Sequence, residues 1–229
     1  MTMGAPTAAP TSAASETTAN ERAGLTWIAV GAGIALIAAI LEVTVQYIPG
    51  FTSLLSSLGT SLTNTSVGLT DLVILAVLVG VGTGAAIAEM AVFRAGFVRL
   101  ATVDNSAFRT PSRFSYVAIT GLAWFLAGVE WLLIMLYQAV NCANGASSIP
   151  SSCLGSLTVL IAVAFTFIGV IMALVGYIVG ILLGLWRIGA RYQKTATKVG
   201  TILLIFPYLN IVGAILILIQ VTGARQSLH

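Results

Sequence analysis

Charge is what this sequence has least of. Ten basic and seven acidic residues make up 7% of the 229-residue chain, where a soluble domain carries about 25%, so a water-soluble fold is excluded. The net charge of +3 comes from residues scattered between hydrophobic blocks, which removes nucleic acid as a partner because no basic patch forms. Histidine is reduced to His229 at the final position. Histidine metal sites, histidine-based triads and haem ligation by histidine are thereby excluded. The glycines lie in apolar runs rather than after a strand, so no phosphate loop is present. With no metal or cofactor motif and almost no catalytic side chains, the chain reads as a non-enzyme without a cofactor. The start lacks the basic residues and short apolar core of a signal peptide, since the first apolar run begins only at Leu25 and is long enough to span a bilayer.

What the chain does have is 58% hydrophobic residues. Five apolar stretches, at about 25–48, 72–93, 114–137, 156–186 and 199–221, approach or exceed the roughly 20 residues needed to cross a hydrocarbon core. Lipid offers no hydrogen-bond partners, so each run is expected to be a helix; alternation, the mark of a barrel, is missing. The expected fold is all-α, an integral membrane bundle of five transmembrane helices. Residues 1–24, rich in Ala, Thr, Ser and Pro, are expected to form a disordered cytoplasmic tail, and residues 222–229 a short external one.

Orientation follows from the basic residues. Arg94, Arg99, Arg109 and Arg113 fall between the second and third spans, and Arg187, Arg191, Lys194 and Lys198 between the fourth and fifth. With Arg22 they occupy one side, which the positive-inside rule assigns to the cytoplasm. Five crossings then put the N-terminus inside and the C-terminus outside, with Arg225 as the exception. Cys142 and Cys153 share the non-basic loop 138–155, where an external disulfide is expected. Asn64-Thr65-Ser66, in the other external loop, fits a glycosylation acceptor at Asn64. In the same loop Phe51, Leu54, Leu55, Leu58 and Leu62 repeat at helical spacing, as in a short surface helix.

Small residues spaced by four let helix backbones approach in lipid. Gly176, Gly180 and Gly184 form one such stripe, and Gly80, Gly84 and Ala88 another. They are expected to pack within the bundle, or between copies in a homo-oligomer or larger membrane complex. Pro207 should kink the fifth span, and Asn210, one turn on, is placed to satisfy the freed backbone groups or to bond a neighbouring helix.

Chemistry, if any, falls to carboxylates. Glu42, Glu89 and Glu130 lie inside spans, where a charge costs at least about 2.5–3.5 kcal/mol on insertion scales. Each sits on the small-residue face of its helix. At about 1.5 Å per residue, Glu42 and Glu130 fall at one depth and are expected to face each other as a proton or cation site. Glu89, nearer the cytoplasm, is expected to snorkel toward Arg94 or Arg99. Trp27, Trp124, Trp131 and Trp186 read as interfacial anchors and packing residues.

From Arg187 to Ile219 the chain reads RIGARYQKTATKVGTILLIFPYLNIVGAILILI, a basic, aromatic turn leading into a Pro-Tyr-Leu-Asn helix. This resembles the closing segment of an archaeal family of polytopic membrane proteins known only as a domain of unknown function, and Phe93 to Ser115 is similar to that family's central loop. The resemblance covers about a quarter of the chain, with no counterpart for the N-terminal third. It implies a multi-span protein from an archaeal plasma membrane and brings no catalytic residues. The expected function is a structural, assembly or accessory component of the envelope, with the lipid bilayer as its first partner. A small proton- or cation-coupled transporter using Glu42 and Glu130 is the alternative.

Overall fold

A computed structural model describes residues 11–47, 56, 69–143, 156–206 and 208–228. These are helical almost throughout and contain no strand. The helices are α1 (Thr11–Gln46), α2 (Leu69–Val103), α3 (Asn105–Ala143), α4 (Ser156–Gly176), α5 (Leu183–Arg191), α6 (Thr195–Leu203) and α7 (Asn210–Gln226). Between α4 and α5 the helix continues as a π segment, Tyr177–Leu182. Four stretches are long and apolar enough to cross a membrane: Ser15–Thr44, Thr70–Val103, Asn105–Ala139 and Leu157–Arg191.

The expected fifth crossing is replaced by a hairpin. The chain reverses between α6 and α7, with Tyr208 in left-handed backbone at φ 66°. The arms lie close enough that a Cβ on Gly200 would meet the Gly213 carbonyl at 2.8 Å. Helix α7 has 17 residues, a rise of about 25 Å that falls short of a core of about 30 Å. It returns to the end from which α6 started: Arg22 Nη2 donates to the Leu228 carbonyl at 3.0 Å. Residues 22 and 228 therefore share one end of the bundle, whereas five crossings were expected to separate them. Pro207, where a kink was expected, lies outside the described residues. Arg225, in the last turn of α7, lies toward that same end of the bundle.

Residues 11–24 also differ from expectation. They begin α1 instead of forming a disordered tail, because Ala, Glu and Arg favour helix and because Glu21 and Arg22 find partners on other elements. Residues 1–10 lie outside the described residues, as do Asn64, Cys153 and all of the proposed surface helix except Ser56. Cys142, at the end of α3, is not a free thiol.

Each helix packs on few neighbours. Helix α1 lies against α2 and α7, α2 against α3, α3 against α4 and the π segment, and α6 against α5 and α7. The tightest contact is α3 on α4. A Cβ at Gly121 would run into the backbone of Ala173, one at Gly128 into Thr166, one at Gly169 into Phe125 and one at Gly176 into Ala118. Further along, Gly180 abuts the Ser115 backbone, and Gly184 makes room for the Phe97 ring. The second stripe behaves differently: a Cβ at Gly84 meets nothing within 4 Å, and one at Gly80 meets Glu130 Oε1 at 3.9 Å.

The core lies in the half of the bundle nearer the basic end. Phe93, Phe97, Phe108, Leu25, Ile28, Leu100, Leu185 and Ile188 are each no more than 1% exposed. Phe97 stacks between Phe93 and Phe108, with ring centroids 6.4 and 6.5 Å away. Toward the other end α4 packs on α3 alone and leaves Leu157, Leu160 and Phe167 largely exposed, an arrangement suited to hydrocarbon.

The hairpin makes a test of sidedness direct. With Cys142 and Cys153 replaced by Ser, cysteines introduced by Ser112→Cys and Ser227→Cys should react with an impermeant maleimide only after cells are permeabilised. Labelling of the Ser227→Cys protein in intact cells would restore five crossings.

Candidate functional site

The π segment turns Tyr177 toward the space between α1, α2 and the hairpin tip. There Ala35, Ala38, Ala39, Glu42, Glu89, Met90, Tyr177, Leu204 and Asn210 line a cavity of about 200 Å³. The alanines create it by withdrawing side-chain volume from one face of α1. Ala35 and Glu42 are seven residues apart, about 10 Å of rise, so the cavity is elongated along α1. Glu42 is exposed, whereas Glu89 and Asn210 are half-buried. Asn210 Oδ1 is buried without a hydrogen-bond partner, although satisfaction of backbone or a neighbouring helix was expected of this side chain. No Lys or Arg lines the cavity.

This grouping differs from the expected one. Glu42 and Glu89 share the cavity, while Glu130 lies between α2 and α3 in a separate one of about 160 Å³ with Leu72, Val73, Ala76, Leu133, Ile134 and Tyr137. Equal depth did not make Glu42 and Glu130 neighbours because α1 packs on α2 and α7 rather than on α3. Nor is Glu89 paired with arginine among the described residues. Arg94 instead sits over the Tyr116 ring, 5.4 Å from its centroid, leaving Glu89 to the cavity. Tyr177 was not identified in the sequence; the available signal was a single tyrosine among the apolar residues of the fourth span.

A second, apolar cavity of about 300 Å³ adjoins the first through Met90 and Tyr177, and is otherwise walled by Ala86, Ala118, Leu122, Phe125, Val170, Ala173 and Leu174. Toward the basic end the aromatic stack of Phe93, Phe97 and Phe108 closes the bundle. Beyond the stack lies a polar clasp. Asp104 caps α3, its Oδ1 accepting from Ser106 Oγ at 2.7 Å and from the Ala107 amide at 3.0 Å. Its Oδ2 pairs with Arg191 Nη1 at 2.6 Å. Arg191 Nη2 also reaches Glu21 Oε1 at 3.2 Å, which accepts from the Tyr192 hydroxyl at 2.6 Å. Arg187 donates to the Ala107 carbonyl. One cluster thus ties α1, the α2–α3 turn and the end of α5.

Half-exposed ion pairs of this kind contribute about 0.2–1 kcal/mol each, and their pH dependence has a definite sign. The hydrogen bond from Ser106, then that from the Ala107 amide, with Arg191 adding to both, holds the Asp104 carboxyl below its ordinary value of 3.8. A depressed folded pKa gives stability that is present above the unfolded value and lost as pH falls through the folded one. Between pH 6 and pH 2.5 the thermal midpoint of the detergent-solubilised protein should therefore fall further than that of an Asp104→Asn variant. Equal losses would remove Asp104 from the account.

A family model described as "Protein of unknown function (DUF973)" matches residues 15–228. The match extends well beyond the two resembling segments and takes in the first loop and most of α1. No curated protein and no solved structure matches. By a match over nearly its whole length, the chain belongs to the DUF973 family of proteins of unknown function.

Proposed function

We propose that this protein is a small proton- or cation-coupled membrane carrier in which Glu89 and Glu42 bind the coupling ion. One observation carries the reading: beside the tip of the hairpin, two carboxyls, a tyrosine and an unsatisfied asparagine oxygen meet in one cavity lined by no basic side chain. Irregular backbone at membrane depth is tolerated where it is buried in protein or lines a wet cavity, and interrupted helices are how many carriers present polar groups to ions. A proton or metal cation supplies the positive charge that the lining lacks. Glu130, in its own cavity, is outside this site, which replaces the Glu42 and Glu130 pairing expected from the sequence. The carrier acts in the plasma membrane with its basic end in the cytoplasm and without covalent chemistry.

A second reading, an accessory component of the envelope, has the open small-residue face of α2 in its favour, since a side chain added at Gly82 or Gly84 meets nothing within 4 Å. That face suits a homo-oligomer or a larger membrane complex. Flux into liposomes separates the readings. Glu89→Gln should reduce proton or cation flux by at least about tenfold, by analogy with the cost of losing a buried charge partner. Glu42→Gln should reduce it less, and Glu130→Gln should match wild type. If wild type and all variants equal empty liposomes, the carrier reading fails and the accessory one takes its place.

The proposal also places the loop holding Cys142 and Cys153 outside the cell, where the two close a disulfide; a loop this short would gain about 3 kcal/mol from it. Non-reducing peptide mass spectrometry should find the two cysteines linked. Two alkylatable thiols in protein isolated without reductant would refute the bridge.

A further inference from the structure

We infer that the cleft between the π segment, α5 and α6 is a binding site for one anionic membrane lipid, which braces the re-entrant hairpin from behind. The cleft has a volume of about 330 Å³, and its walls include Ile178, Leu182, Trp186, Thr201, Ile202 and Ile205. Ile178, Trp186, Ile202 and Ile205 are exposed in the isolated chain. From Trp186 to Ile178 the cleft runs about 12 Å along the helix axis, toward the bilayer centre. Within a membrane the medium available to such a surface is hydrocarbon, so its occupant is an acyl chain.

The polar rim says which lipid. Lys198 Nζ lies over the Trp186 ring, 5.5 Å from its centroid. It is held there because Gly189 has no side chain: a Cβ at that position would meet Lys198 Cγ at 2.8 Å. Lys194 is at the cap position of the same helix, four residues earlier. The ion pairs of Arg191 engage Glu21 and Asp104, and among the described residues neither lysine is paired with a carboxylate. Helix α6 starts at this rim, and Lys194 at its cap position provides no side-chain hydrogen bond to the first turn. The positive end of the helix therefore adds to the two ammonium groups. A phosphate headgroup with net negative charge matches that rim, whereas a zwitterionic one brings its own cation. The hairpin has α1 and α5 as protein supports, and a lipid in this cleft completes its enclosure. The inference does not depend on the carrier reading.

The test uses the full chain in nanodiscs of equal phosphatidylglycerol and phosphatidylcholine. Native mass spectrometry after release should find phosphatidylglycerol retained over phosphatidylcholine by on the order of tenfold, given about 1 kcal/mol per lysine near a charged headgroup. A Lys194→Gln, Lys198→Gln double variant should lose that preference. An Ile205→Trp variant, which keeps both lysines and fills the cleft, should lose cross-linking to a phosphatidylglycerol that carries a photoreactive acyl chain. In the wild type those cross-links should map to Ile178, Leu182, Ile202 and Ile205. Equal retention of the two lipids, an unchanged preference in the double variant, or cross-links on other faces would each overturn the site.

Discussion

A backbone amide or carbonyl inside lipid must find its partner within the protein, and this constraint shapes the whole molecule. Four helices meet it by running unbroken from one end of the bundle to the other. The segment after α6 does not, because the chain is non-helical at residues 204–206 and 208–209 and turns back. Such a break is stable only where protein or enclosed water surrounds it. The alanine face of α1, the π segment and Glu89 of α2 line a polar cavity on its inner side, while Ile205, Phe206, Tyr208 and Leu209 face outward.

The two halves of the bundle divide the work. Near the basic end, buried phenylalanines and the Asp104–Arg191–Glu21 clasp hold four elements together through apolar packing capped by charge. Toward the far end, α3 and α4 rely on glycine-mediated backbone contact, and much of the remaining apolar surface faces outward. The π segment lies where these regimes meet. It lets one continuous helix pack on α3 alone above it and on α2, α3 and α6 around and below it.

Much of this was legible in the residues. Four long spans follow from apolar runs that have no soluble alternative, and Gly176, Gly180 and Gly184 stand against other helices in the structure. The hairpin was hidden because residues 199–221 are predominantly apolar, and a hydropathy window cannot distinguish one crossing from two half-crossings. Arg225 was the available clue, as the single basic residue that five crossings left on the wrong side. Gly121, Gly128 and Gly169 do not stand out at a spacing of four because they fall in a spacing of seven on α3 and on α4 (Ala162, Gly169, Gly176), the period of a helix seam. The intramembrane carboxylates were identifiable by type. Their grouping was not, because depth along a helix axis says nothing about which helices are adjacent.

The meeting of residues 22 and 228 at one end, as an even number of crossings would give, carries a consequence for how such a chain can grow. With residues 22 and 228 at the same end, two copies can be joined head to tail by a plain linker, and a soluble module appended to either terminus reaches the same compartment. A protein with an odd count needs an extra membrane segment to do either. The turn-back after α6 thus leaves this small bundle open to duplication and fusion without any change to its orientation.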